Sequence, residues 1–170
     1  MQATALALAA GTERIAVYKF YDWNLPPGDE TFGLLRADQS RRPAFDTWAM
    51  VIRRLNGVEH AQLAQSEKLD VVRLSHEDGH QTVIAWSKSA EAAQIQVSGL
   101  GGEAILLDQY GVGQTIMPEN GQYILPLVGA RCNDVDKCPV GGQVQLLVLP
   151  PGVITVQEGR SNQLTELTFE

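Results

Sequence analysis

The strongest constraint on the fold is a stretch, residues 14–55, in which an apolar segment, a loop and an amphipathic segment follow one another. Residues 15–21 are apolar except for Lys19, which is the pattern of a strand buried on both faces of a parallel sheet. Residues 24–31 read NLPPGDET, and their prolines and glycine predict an irregular loop. From Pro43, apolar residues recur at helical spacing at Phe45, Trp48, Ala49, Ile52 and Leu55. The stretch therefore predicts one βα unit.

The sequence also contains residues that are typical of the ends of helices. Pro43 suits the first turn of the predicted helix, and Gly57 suits the C′ position after its end. Residues 2–10 read QATALALAA, an alanine-rich run that favours the end of a helix, with Gly11 at its C′ position. The alternative, a secretory signal, requires a positively charged region before the apolar run, and this run has none.

The order of these pieces resembles the end of (β/α)8-barrel glycoside hydrolases. A strand ending in YDW, a long loop, FGLLRADQS, RRPAF and an amphipathic helix are similar to the eighth and last βα unit of such barrels. ILLDQYG and PVGGQVQLLVLP are similar to strands of the small C-terminal β-sandwich that many of these enzymes carry. The resemblance covers residues 14–150. It implies that residues 2–10 are the tail of the seventh helix and that Met1 lies within a longer coding sequence.

The second half of the chain has the alternating pattern of an antiparallel sandwich. We expect strands at residues 70–75, 81–87, 93–97, 103–108, 121–127 and 143–149, with an edge strand at 153–156. Turn signals occur at residues 77–80 and at Asn120-Gly121. The predicted fold class is therefore α+β, a βα unit followed by a β-sandwich. We expect domain 1–57 to end the barrel, 58–69 to be a linker, 70–157 to be the sandwich and 158–170 to be a polar tail.

Glycoside hydrolysis needs two carboxyl groups that lie roughly 5 to 9.5 Å apart. The resemblance implies that these are glutamates at the ends of the fourth and seventh barrel strands, and this chain begins after both. The only carboxylate at the end of the predicted strand is Asp22. Asp29 and Glu30 lie in the predicted loop without an evident partner. We therefore assign no catalytic residue and expect this C-terminal fragment to be inactive alone.

Two residues at the end of the predicted strand are candidates for substrate binding. The resemblance implies that Trp23 stacks on a sugar ring, and the alternative is that it packs beneath the loop. Two roles are open for Asp22 as well: contact with a substrate, or a hydrogen bond to the loop backbone.

The two cysteines, Cys132 and Cys138, are separated by five residues. We favour a disulfide, which would close a short loop and indicate an oxidising compartment. A metal site would lack a second ligand pair, although Asp134 and Asp136 offer oxygens to a hard cation. Two free thiols are the third alternative.

The net charge of −7, from 13 basic and 20 acidic residues, argues against nucleic acid as a partner. No apolar run reaches about eighteen residues, so we expect no membrane partner, and no motif predicts a metal or a cofactor. His60 lies in the predicted linker, a stretch with several polar residues, and we expect it to be a solvated surface residue. The resemblance implies a polysaccharide or oligosaccharide bound through the parent barrel, the remainder of the barrel as a partner, and a secreted or extracytoplasmic location.

A second hypothesis is a stand-alone sandwich module that binds a carbohydrate or a protein. Such a module needs exposed aromatic side chains. The alternation around Trp86 places it in the core, whereas Tyr110 and Tyr123 lie beside glycines and are open to either role.

The isolated chain offers residues 15–22 no second parallel strand, and one helix can cover only one of their faces. We therefore expect the 170-residue chain to self-associate and a chain that begins near Lys68 to be a soluble monomer.

Overall fold

The structure, a computed structural model, describes residues 1–23, 32–99, 101–131, 141–160 and 163–170. In these residues two helices, α1 (Gln2–Ala9) and α2 (Pro43–Arg54), precede ten strands. The strands are β1 (Val58–Gln65), β2 (Leu69–His76), β3 (Gln81–Ser87), β4 (Ala93–Ser98), β5 (Ala104–Asp108), β6 (Gly113–Ile116), β7 (Gln122–Leu127), β8 (Gln145–Leu149), β9 (Thr155–Arg160) and β10 (Gln163–Glu166). Neither helix has the length and apolar character needed to cross a membrane.

The strands form two antiparallel sheets. Six strands pair in the order β1-β2-β3-β8-β5-β6, and four pair in the order β10-β9-β4-β7. Side chains of alternating positions, such as Val71, Val83, Ile95 and Leu125, fill the space between the sheets and are fully buried. The predicted fold class, α+β with a β-sandwich, is confirmed.

The outer face of the six-stranded sheet is also buried, because the helices cover it. Val72, Ile84 and Trp86 point to this face, and they pack in one cluster with Ala5 of α1 and Met50 of α2. Strands β2 and β3 are therefore mostly buried on both faces, whereas β7 in the other sheet alternates between buried and exposed side chains. The expected pattern with one buried face holds for β7 and not for β2 and β3.

Residues 15–22 do not form a strand of either sheet. They have no regular secondary structure and bend at Tyr18 and Phe20, and the segment makes one bridge, in which Tyr21 pairs in parallel with Leu35. Several of its side chains are exposed, including Tyr18, Phe20 and Tyr21. The reason is that every named strand pair in the described residues is antiparallel, so this segment has no parallel sheet to join.

The residues predicted as a linker, 58–69, contain strand β1, so that prediction is corrected. The polar side chains that obscured the strand are paired across it: Gln65 donates to Asp70 at 2.8 Å, and Arg73 donates to Gln62. The apolar residues of β1, such as Leu63, pack beneath α1 with the outer cluster.

The prediction of a polar tail at 158–170 is likewise corrected, because residues 158–160 belong to β9 and Gln163–Glu166 form β10. Strand β10 pairs with β9, and the last residue, Glu170, exchanges two backbone hydrogen bonds with Leu63 at 3.0 and 3.1 Å. Leu167 is buried in the core between the sheets, and the Phe169 ring lies 4.7 Å from the Arg73 guanidinium carbon. Strand β6, which the sequence pattern missed, pairs with β5.

Helix α2 begins at Pro43 as predicted, and four residues of its predicted apolar stripe are half-buried: Phe45, Trp48, Ala49 and Leu55. Ile52 of that stripe is 60% exposed, whereas Met50 and Val51 are buried. The β5–β6 turn packs on Met50 so closely that a Cβ on Gly111 would lie 2.9 Å from its Cγ.

Candidate functional site

The two predicted substrate-binding residues lie where the extended segment meets the chain that leads into α2. Trp23 is 65% exposed, and the centroid of its ring lies 5.1 Å from that of Tyr21 at a tilt of 41°. Tyr18, Phe20 and Phe32 are also exposed. These five residues, Tyr18, Phe20, Tyr21, Trp23 and Phe32, are named the aromatic surface below.

Asp22 differs from its neighbours because its side chain is buried and both of its oxygens are used. Oδ2 accepts a hydrogen bond from Arg42 Nη2 at 2.8 Å, and Oδ1 accepts one from the Gly33 N–H, also at 2.8 Å. The Lys19 ammonium lies 3.7 Å from Oδ1. The hydrogen bond to the backbone, one of the two predicted alternatives, is present, and contact with a substrate stays a prediction.

This environment keeps Asp22 ionised. The hydrogen bond from Arg42 holds the pKa of the Asp22 carboxyl below its ordinary value, and the Gly33 N–H and the Lys19 charge act in the same direction against the opposing effect of burial. A carboxylate of this kind is a poor proton donor at neutral pH. Its contribution to stability is present above the ordinary pKa of aspartate and is lost as the pH falls through the lower folded value.

Backbone hydrogen bonds tie three segments together around Asp22. The Asp22 N–H donates to Leu35 O at 2.9 Å, and the Leu35 N–H donates to Phe20 O at 2.9 Å. The Arg42 N–H donates to Leu34 O at 3.0 Å, which brings the Arg42 side chain to the carboxylate. The backbone that carries Trp23 is therefore fixed to the residues that start α2, although Trp23 itself lies on the surface.

Gly33 allows this close approach, because a Cβ there would lie 2.6 Å from the Asp22 nitrogen. We expect Gly33→Ala to lower the free energy of unfolding by about 1–3 kcal/mol, since backbone atoms must move apart. The matched control is Gly101→Ala, where nothing lies within 4 Å of the new Cβ and the expected change is within about 0.5 kcal/mol. Urea unfolding of both variants measures the difference, and equal stabilities would show that the three segments are not held at this distance.

In the described residues Asp22 has no carboxylate partner, and no metal site is formed. Asp22 has no second carboxylate among its contacts. No group of three or more His, Cys, Asp or Glu side chains in the described ranges is arranged to hold a metal ion. The candidates Asp29, Glu30, Cys132 and Cys138 lie outside the described residues, so the predicted disulfide stays a prediction.

The aromatic residues of the sandwich divide between core and surface. Trp86 is 2% exposed in the cluster beneath the helices, as its alternation predicted. Tyr123 is 1% exposed, and its hydroxyl donates to Gly102 O at 2.8 Å. Tyr110 is exposed beside a groove of about 510 Å³ that is also lined by Val17, Leu34 and Trp48.

The three histidines also divide between the core and the surface. His60 is exposed on β1, as predicted. His76 is buried at the end of β2 and stacks on His80, a pairing that the sequence reasoning missed. Its signal was the turn sequence Glu77-Asp78-Gly79, which lies between His76 and His80 and brings the two histidines together.

Comparison with known proteins gives a likeness in fold. The chain is similar to a solved structure of a family 39 glycoside hydrolase from the gut symbiont Bacteroides cellulosilyticus WH2, with a TM-score of 0.55 and 23% sequence identity. The match covers 77% of this chain and 25% of that one, so this chain spans less than half the length of the enzyme it resembles. No family model matches the sequence, and no curated protein matches it.

Proposed function

We propose that this chain is the C-terminal part of a carbohydrate-active glycoside hydrolase, in which residues 1–57 complete a (β/α)8 barrel beside the β-sandwich. The likeness in fold to part of a family 39 glycoside hydrolase supports this proposal. The partners in it are the remainder of the barrel and a polysaccharide or oligosaccharide. The reaction belongs to the parent enzyme, and this chain alone is inactive.

The observation that carries the proposal is the unpaired backbone of residues 13–18. These residues lie outside the helices and strands, and within the described part of the chain their N–H and C=O groups have no hydrogen-bond partner. A segment with free backbone groups and apolar side chains offers a site for pairing with another strand. In the proposed parent enzyme, neighbouring barrel strands supply these partners.

Trp23 is the residue proposed to contact sugar. An exposed indole next to a second ring offers a flat apolar surface on which the C–H groups of a sugar can stack. The Asp22–Arg42 ion pair and the Gly33 hydrogen bond hold the adjacent backbone, so the Trp23 side chain starts from a fixed position. Asp22 itself acts as a positioning residue in this proposal, because its oxygens are already used.

Trp23→Ala in the complete enzyme tests this role. We expect kcat/KM to fall by roughly tenfold or more, a factor that corresponds to about 1.4 kcal/mol of lost transition-state binding. The melting temperature should change little, because the side chain is 65% exposed. The matched control is Trp86→Ala, which removes a buried ring and should cost about 3–5 kcal/mol of stability. If Trp23→Ala lowers the melting temperature as Trp86→Ala does, with unchanged kinetics in the surviving enzyme, Trp23 has a packing role.

The alternative, a sandwich module that binds carbohydrate or protein by itself, has less support. Two of its three candidate aromatic residues, Trp86 and Tyr123, are buried, which leaves Tyr110. Affinity electrophoresis of the isolated chain against a panel of polysaccharides separates the two hypotheses. Migration without retardation favours the fragment, and retardation that Tyr110→Ala removes favours the module.

We also propose that the parent enzyme is exported and that Cys132 and Cys138 form a disulfide. Mass spectrometry of the alkylated chain before and after reduction detects the disulfide as two cysteines that become reactive only after reduction.

A further inference from the structure

A buried histidine joins helix α2 to the sandwich. His76, the last residue of β2, is 3% exposed. Its Nδ1 lies 3.2 Å from the Asn56 carbonyl oxygen, in the two-residue connection between α2 and β1 that follows Leu55. The next residue reinforces this contact, because the Glu77 N–H donates to Gly57 O at 2.9 Å. The β2–β3 turn and the α2–β1 connection are therefore fastened to each other at two points.

The hydrogen bonds fix which ring nitrogen of His76 carries the proton. A carbonyl oxygen can only accept, so Nδ1 must donate to Asn56. Nε2 of the neutral ring is then an acceptor, and the Thr82 hydroxyl at 3.0 Å donates to it. Thr82 is fully buried, so its hydroxyl has no water to turn towards when Nε2 gains a proton.

A second imidazole lies against the first. The His80 ring is stacked on the His76 ring, with centroids 3.7 Å apart and an angle of 14° between the planes. His80 Nδ1 is hydrogen-bonded to the Asp78 carboxylate. A proton on His76 would place a positive charge on a buried ring whose face is covered by a second imidazole.

We propose that His76 and His80 form an acid-sensitive clamp, which holds the α2–β1 connection against the β2–β3 turn at neutral pH and opens when His76 takes up a proton. Protonation ends the acceptor role of Nε2 towards Thr82 and leaves a buried positive ring, and opening relieves both effects. Its consequence is local: the α2–β1 connection loses its attachment to the turn, while Ala5 and Met50 keep both helices packed on the six-stranded sheet.

The direction of the pH effect follows from burial. Desolvation holds the pKa of His76 below its ordinary value of 6.5, and the His80 charge lowers it further, against smaller opposing effects of the Asn56 hydrogen bond and the Asp78 charge. The unfolded or opened state therefore binds the proton more readily. The clamp is fully stable above pH 6.5 and weakens as the pH falls below that value. Other charged residues on the adjoining elements are Glu59 on β1, Glu77 in the turn, and Arg53 and Arg54 in the last turn of α2.

Hydrogen exchange of the full chain, followed by NMR, tests the clamp. The Glu77 amide reports on its opening, since its only backbone acceptor is Gly57 across the connection. We expect its protection factor to fall by roughly tenfold per pH unit below pH 6.5, the limit for one linked proton. Amides in the centre of β3 should keep their protection over the same range.

Two variants make the result specific. His76→Gln should remove the pH dependence of Glu77 protection, because glutamine does not titrate in this range. His60→Gln, at the exposed histidine of β1, should leave it unchanged. If His76→Gln does not fold, the NMR titration of the His76 ring in the unaltered chain takes its place, and its midpoint should lie below pH 6.5, where the fall in Glu77 protection levels off. Glu77 protection that does not change below pH 6.5, or that changes equally in His76→Gln, overturns the proposal.

Discussion

The 170-residue chain should sediment as dimers or larger species at micromolar concentration. The exposed parts of the five rings of the aromatic surface amount to roughly 600 Å², because an aromatic side chain offers about 150–250 Å². Exposed apolar area of this size favours association with another apolar surface. The unpaired backbone of residues 13–18 adds hydrogen-bonding groups to the same region. Sedimentation velocity over a range of concentrations measures the effect.

A matched pair of variants assigns this self-association to the aromatic surface. Replacement of Tyr18, Trp23 and Phe32 by serine should return the chain to a monomer. The control replaces three equally exposed apolar residues of the sandwich half, Val112, Met117 and Val153, by serine and should leave self-association unchanged. A monomer from the unaltered chain would show that the extended segment is an integrated part of a small fold and has no need of a partner.

Removal of the helical half should abolish a soluble fold. A chain that begins near Lys68 was expected from the sequence to be a soluble monomer, and the structure argues against that expectation. Ala5 and Met50 cover the outer face of the six-stranded sheet, so their removal exposes buried residues of β2, β3 and β8, including Trp86. Starting at Lys68 also removes β1 and leaves the long edge of β2 open to other chains.

Two shortened chains separate these effects. A chain that begins at Gly57 keeps β1 but lacks the helices, and a chain that begins at Lys68 lacks both. Both should aggregate or lose near-ultraviolet circular dichroism, and the second should do so at lower concentration. A monomeric Lys68 chain with β-type circular dichroism would show that the helices do not stabilise the sandwich.

The central strands of the sandwich were predictable because their local pattern and their tertiary environment agree. Residues 81–87 were expected as a strand, and β3 has those bounds. Asn120 and Gly121, expected as a turn, both have positive φ angles, 51° and 78°, which these residue types tolerate. In both cases neighbouring residues along the chain carry the whole signal.

Other elements depend on contacts that no local pattern contains. Strand β1 has polar residues at positions where cross-strand partners such as Asp70 satisfy them, so it resembled a linker. Residues 163–170 form a hairpin strand and an edge contact because Leu167 enters the core and Glu170 pairs with β1. Conversely, residues 15–22 have the pattern of a buried strand, but within the described chain their pairing is limited to one parallel bridge between Tyr21 and Leu35.

The candidate site was predictable only in part, for the same reason. The end of the apolar segment identified Asp22 and Trp23 as neighbours on the chain. The ion pair that fixes Asp22 comes from Arg42, twenty residues away, and needs the bend at residues 33–42 to form. Nothing in the spacing of the two residues indicates this pairing, and the same is true of His76 and Asn56.

Sequencing of the DNA upstream of the Met1 codon most directly tests the proposal that this chain is the C-terminal part of a larger glycoside hydrolase. We predict a reading frame that continues upstream in phase and encodes seven βα units, with a glutamate at the end of the fourth strand and another at the end of the seventh. An in-frame stop codon and a promoter immediately before Met1, with no barrel-coding sequence nearby, would contradict it.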